Sequence, residues 1–166
     1  METITRTERL HVRKMTTDDH LSLARIFEDT DSMHYYAGKT PDASSWLDWT
    51  LENYRKYNIG MWVVEHEEDG RFLGQCGIVP HRIDGHVEVE MGYLFVKAEW
   101  GNGYASEAAR ACLRFALETL DVPRIVSLID ERHARSVNVA TRAGMVKEKE
   151  LLHRNRHVSL YAIHQN

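Results

Sequence analysis

The sequence predicts a mixed α/β fold: a sheet that is antiparallel first and parallel at one seam, with helices on its flanks. Three observations carry this. Residues 60–96 hold three strand-like runs joined by Glu67-Glu-Asp-Gly70 and Asp84-Gly85, both turn signals. An amphipathic stretch over 104–120 then leads to the apolar run Arg124–Ile129, and a crossover of that length makes its flanking strands parallel and right-handed. The chain has 166 residues, 43% hydrophobic and 28% charged, which fits one domain over 1–166 with its own core and excludes a disordered or coiled-coil chain.

Each element follows in order. In Thr7-Glu-Arg-Leu-His-Val-Arg13, Leu10 and Val12 alternate with polar residues, as in a half-buried strand. Thr16-Thr-Asp-Asp19 has the form of a capping box and predicts a helix that turns Leu21, Ala24 and Phe27 inward. A second helix follows Pro41, with Trp46, Trp49 or Thr50, and Tyr54 along one side. The meander comprises residues 61–65, 72–79 and 87–96. In its last strand Val87, Val89 and Met91 share one face, and Glu88, Glu90 and Gly92 the other. The alternation fails after Gly92, and a glycine at such a phase change predicts a β-bulge or a close backbone approach. The crossover helix over 104–120 presents Ala105, Ala108, Cys112, Phe115, Ala116 and Leu120 as its apolar stripe. After Pro123 and the strand Arg124–Ile129, a short helix over 134–143 stops at Gly144, and strands near 145–150 and 157–163 close the chain.

Composition narrows the function. Lys plus Arg number 21 against 25 Asp plus Glu, a net charge of −4, which gives no general footprint for nucleic acid. The opening residues lack the apolar run of a signal peptide and no window is apolar enough to span a membrane, so a cytoplasmic protein is expected. Cys76 and Cys112 are too far apart for a C-x-x-C pair and read as buried structural thiols. Of the ten histidines, His153 and His157 are four apart, but they flank a hairpin turn without an acidic or thiol partner, so no metal is expected. A homodimer is compatible with the sequence, and nothing in it demands one.

The sharpest chemical signal is Trp100-Gly-Asn-Gly-Tyr-Ala-Ser-Glu107, between a strand and the long helix. Its glycines permit positive φ, and the first helical N–H groups have no intrahelical acceptor, which suits a phosphate or pyrophosphate. A Gly-rich turn that only starts a helix is the structural alternative. No Walker A sequence is present, and the preceding meander argues against a dinucleotide fold. Glu88 and Glu90 lie ~6–7 Å apart along one strand face and are candidates for a general base, or else two solvated glutamates. In Arg132-His-Ala-Arg-Ser-Val-Asn138, Ser136 could cap the short helix and Asn138 could face solvent.

Taken together these stretches resemble the GNAT superfamily of acetyl-CoA-dependent N-acetyltransferases, and most closely its ribosomal-protein-acetyltransferase-like (RimJ/RimL-type) branch. Three segments carry the resemblance: residues 7–13, Glu90-Met-Gly-Tyr93 leading into Glu99-Trp-Gly-Asn-Gly-Tyr-Ala-Ser-Glu-Ala108, and Ser136-Val-Asn-Val-Ala-Thr-Arg-Ala-Gly-Met145. It implies the acyl-CoA N-acyltransferase fold, a splayed sheet whose wedge holds the pantetheine arm of acetyl-CoA. Leu94, Phe95 and Val96 would pair with that arm, and Trp100, Gly101, Asn102, Gly103, Tyr104 and Ala105 would hold the pyrophosphate, with Asn138 alongside. An amine acceptor would enter from the side of the first two helices, near Tyr35, Tyr36, Trp46 and Trp49. Glu90, or Glu88, is the expected base. Backbone N–H groups near Leu94 are expected to hold the oxyanion. The resemblance nominates Ser136 as the acid for the departing thiolate, with Tyr161 as runner-up. His133 stands where the branch usually has Asn, so that contact does not carry over. A non-catalytic acyl-CoA-binding regulatory module on the same fold is the alternative.

Overall fold

The computed structural model describes residues 2–36 and 38–166. Eight strands form one sheet: β1 (Thr3–Arg6), β2 (Leu10–Lys14), β3 (Met61–His66), β4 (Phe72–Ile83), β5 (His86–Phe95), β6 (Arg124–Ile129), β7 (Val146–His153) and β8 (Arg156–His164). Their order across the sheet is β1-β2-β3-β4-β5-β6-β8-β7. Every pairing is antiparallel except β5 with β6. Four α-helices flank it: α1 (His20–Phe27), α2 (Ala43–Tyr57), α3 (Tyr104–Arg114) and α4 (Ala134–Arg142). The predicted meander, crossover and mixed sheet are all present.

The two faces of the sheet bury separate cores. Trp62, Val64, Cys76 and Ile78 pack with Ala108, Cys112 and Leu113 of α3. Met61, Val63 and Val79 pack on the other face with Leu23, Ile26 and Phe27 of α1 and Leu47 of α2. Thr16 and Asp19 form the expected capping box. Asp19 is also gripped by the buried Arg13 through two bonds of 2.7 and 2.9 Å. That anchor sets the phase of α1, which turns Leu23, Ile26 and Phe27 inward and leaves Leu21 78% exposed, contrary to the expected stripe. In α2 the buried side is Leu47, Thr50 and Asn53, with Trp49 at its exposed margin.

Three other differences bear on the site. The chain begins with a further strand, β1, which the polar run Thr3-Ile-Thr-Arg6 did not announce. β4 runs on to Ile83, although Pro80 suggests an end at Val79. Pro80 is tolerated because β3 reaches only as far as Met61, opposite Gly77, so the missing N–H of Pro80 faces no strand. No bulge occurs at Gly92; the β4–β5 ladder runs unbroken through Gly77 opposite Gly92. The disturbance lies on the other edge of β5. There β5 meets β6 at a single pair, Glu90 with Val126, and the strands diverge beyond it.

Candidate active site

The divergence of β5 from β6 opens a wedge. Ser127 Oγ donates to Met91 C=O at 2.8 Å and forms the last bridge before the gap. On its far side Val96 N–H donates to Leu73 C=O at 2.9 Å, so residues of that parity in β5, Leu94 included, direct their backbone toward β4. Tyr93 and Phe95 therefore turn their backbone groups into the wedge. This corrects the oxyanion assignment near Leu94: the donors facing the wedge are the N–H groups of Tyr93 and Phe95. The carbonyl of Phe95 is already occupied, accepting from Trp100 Nε1 at 3.0 Å.

Two cavities meet in the wedge. The smaller, about 220 Å³, is lined by Leu94, Phe95, Trp100, Gly101, Gly103, Tyr104, Ala105 and Asn138. Gly101 and Gly103 have φ of +86° and +80°, which disfavours any side chain there. Gly103 is the N-cap of α3 and supplies no side-chain cap, leaving the first-turn N–H groups directed at the loop. Arg135 and Arg142 line the same cavity, Arg135 lying over the Trp100 ring at 3.7 Å. An anion with a slender arm fits this shape and chemistry.

The loop is braced by residues the sequence analysis did not single out. Arg9 Nε donates to Glu107 Oε1 at 2.7 Å and Arg9 Nη1 to Asn102 C=O at 2.9 Å. Thr7 Oγ1 also donates to Glu107. Asn102 lines neither cavity and serves the loop instead, its Nδ2 donating to Glu99 C=O at 3.0 Å. Val96 also lines neither; it is buried against the α1–α2 core.

The larger cavity, about 650 Å³, lies toward α2 and is walled by Tyr35, Tyr36, Trp46 and Trp49, with Glu90 and His81 on the sheet side. Trp46 is fixed by its Nε1 donating to Gln75 Oε1 at 2.8 Å and by Phe27 edge-on at 5.3 Å. Tyr93, Leu94, His133 and Ser136 line both cavities. Tyr35 stacks on His133 at 4.6 Å. Burial, and then Arg135, push the His133 imidazole toward its neutral form.

The predicted acid–base residues separate here. Glu90 lines the larger cavity, its Oε1 at 2.7 Å from His81 Nδ1. Glu88 turns away and takes a two-pronged pair with Arg124 at 3.1 and 3.2 Å, lining neither cavity. Ser136 stands at the junction, in the first turn of α4. It is not a cap, since the helix begins at Ala134 with His133 at the N-cap. Its carbonyl accepts from Tyr93 Oη at 2.9 Å. Tyr161 is on β8 away from both cavities, its hydroxyl donating to Glu131 at 2.9 Å, and burial raises it to about 12. Cys76 and Cys112 are free and buried. Among the described residues no group of three or more His, Cys, Asp or Glu is placed to hold a metal, and no helix is long and apolar enough to cross a membrane.

Comparison with known proteins agrees with this geometry. Residues 9–146 match the family described as acetyltransferase (GNAT) domain. The uncharacterized protein YkkB of Bacillus subtilis (strain 168) is 37% identical over 158 residues, covering 93% of this chain and 92% of its own. The crystal structure of the acetyltransferase from Agrobacterium tumefaciens str. C58 superposes with a TM-score of 0.84 at 28% identity, covering 99% of this chain and 95% of that one. A spermidine N-acetyltransferase from Vibrio cholerae, solved in complex with CoA and spermine, shares the fold at a TM-score of 0.80 and 16% identity, with 96% and 97% of the two chains covered.

Proposed function

This chain belongs to the GNAT acetyltransferase family, and from that premise we propose that it transfers the acetyl group of acetyl-CoA directly to a primary amine, a protein N-terminus or a small molecule. The observation that carries this reading is the meeting of two chemically different cavities at Tyr93, Leu94, His133 and Ser136. One fits an anion with a slender arm, and the other brings a carboxylate to the same junction.

Acetyl-CoA brings the activated acyl carbon as a thioester. Its pyrophosphate lies on the loop Trp100 to Ala105, flanked by Asn138, and its arm runs along Leu94 and Phe95. Glu90 removes a proton from the attacking ammonium. The N–H groups of Tyr93 and Phe95 face the thioester oxygen as it gains negative charge. The C–N bond forms as the C–S bond breaks, Ser136 Oγ passes its proton to the leaving sulfur, and the second proton shed by the acylated nitrogen restores the Ser136 hydroxyl. We further propose, from the resemblance of the three segments, that the protein is of the RimJ/RimL type and acts in the cytoplasm as one unit over 1–166. The acceptor of the Vibrio neighbour is not carried over, because at that identity only the fold is shared.

Release of free CoA from acetyl-CoA across a panel of amines tests the proposal. Glu90→Gln is expected to lower the rate about 10²–10⁴-fold while cofactor binding persists. Glu88→Gln should stay near the wild-type rate. Acetyl-CoA binding without amine-dependent CoA release for any acceptor would leave the alternative, a non-catalytic acyl-CoA-binding module.

A further inference from the structure

We propose that His81 is the positioning residue for the Glu90 base: its Nδ1–H holds Glu90 Oε1 and leaves Oε2 as the acceptor presented to the amine. This deepens the acetyltransferase reading and rests on it. His81 and Glu90 come from neighbouring strands on the same sheet face. Val79 pairs with Glu90 and His81 with Glu88, so the 2.7 Å contact is a diagonal one across the β4–β5 ladder. The diagonal partner is available because Glu88, directly opposite His81, is drawn away to Arg124.

An ionised carboxylate only accepts hydrogen bonds, so a neutral His81 in this contact carries its proton on Nδ1. One carboxylate oxygen is then fixed and the other is free, which confines the base to one orientation. His153 packs edge-on against the His81 ring at 4.9 Å and holds the imidazole plane. Burial, and then His81 itself, favour the neutral form of His153, so it adds no charge beside the pair. Both residues line the larger cavity together with Glu90.

The experiment compares His81→Leu and His81→Asn with wild type by amine-dependent CoA release, with acetyl-CoA binding followed by melting temperature. His81→Leu should lower kcat/KM about 10²-fold, the cost of a misplaced catalytic group, with the cofactor-induced melting shift unchanged. Asparagine offers an N–H where Nδ1 stood, so His81→Asn should recover most of the loss. A wild-type rate in His81→Leu, or equal losses in both variants, would overturn the proposal. Where His81→Leu fails to fold, the tautomer of neutral His81 in the wild-type protein, read by imidazole nitrogen NMR, decides alone. If wild type shows no amine-dependent CoA release, the acetyltransferase reading itself has failed. The pair is then read from imidazole nitrogen NMR: the Nδ1–H tautomer of neutral His81 supports it and the Nε2–H tautomer overturns it.

Discussion

His133 stands on the wall common to both cavities, stacked on Tyr35. Its neutral form is favoured in the folded protein by burial and by Arg135, which lowers its proton affinity from the ordinary 6.5. The unfolded chain then binds a proton that the folded chain refuses, so stability falls as pH drops through 6.5 and levels off below the folded value. His153 acts with the same sign. Melting temperature measured across this range should fall less steeply in His133→Asn than in wild type, with the remaining slope belonging to His153. Equal slopes would mean that His133 is freely protonated in the fold. At the same scale, Gly77 shows how little room the meander leaves: a Cβ there would lie 2.2 Å from Gly60 C=O. Nothing in the local sequence around Gly77 indicates this, since the obstruction comes from the start of β3.

At the scale of elements, the loop before α3 and the turn between β1 and β2 behave as one unit. Glu107 accepts from Thr7 Oγ1, Arg9 N–H and Arg9 Nε, and Arg9 reaches on to Asn102 C=O. Two of the three segments that resemble the family are thus clasped together although about 98 residues separate Arg9 from Glu107. Arg9→Ala removes the guanidinium arm of the clasp but no group from the cavity. It is expected to weaken acetyl-CoA binding by about tenfold, consistent with losing a charge-assisted bond of ~1.5–3 kcal/mol that is only partly coupled to the loop. Glu107→Gln should show a smaller loss, because the hydrogen-bond acceptor remains. Titration of acetyl-CoA against both variants measures this, and unchanged affinity in Arg9→Ala would separate the clasp from the site. The Gly-rich loop was legible in sequence because glycines and a helix start are local signals. The clasp was not, because its partners meet only after β2 has paired with β3 and α3 has packed against the sheet.

Over the whole molecule, the wedge divides the sheet into β1–β5 and β6–β8, joined at the single pair Glu90 with Val126 and by Ser127 Oγ. A ligand seated there touches both parts, so acetyl-CoA at ~100 times its dissociation constant should stabilise the fold by about 2.7 kcal/mol. The melting temperature should rise accordingly, and Gly103→Val should abolish the rise by placing a β-branched side chain at φ +80° in the loop. A folded Gly103→Val protein with an unchanged shift would move the anion site elsewhere. The sequence by itself determined the meander, the crossover, the helix-start loop and the carboxylate-bearing strand, because each depends on periodicity or turn chemistry within a few residues. It favoured Glu90 as the base but kept Glu88 as a candidate, offered Tyr161 as runner-up for the acid, and passed over His81. Tertiary structure alone decided the surroundings of all three, through Arg124 drawing Glu88 aside, Glu131 taking the Tyr161 hydroxyl, and β4 continuing past Pro80 to bring His81 beside Glu90. The physical reason is common to all of them: a side chain's role is set by the partner its neighbouring strand supplies, and that partner is fixed by register across the sheet, not by spacing along the chain.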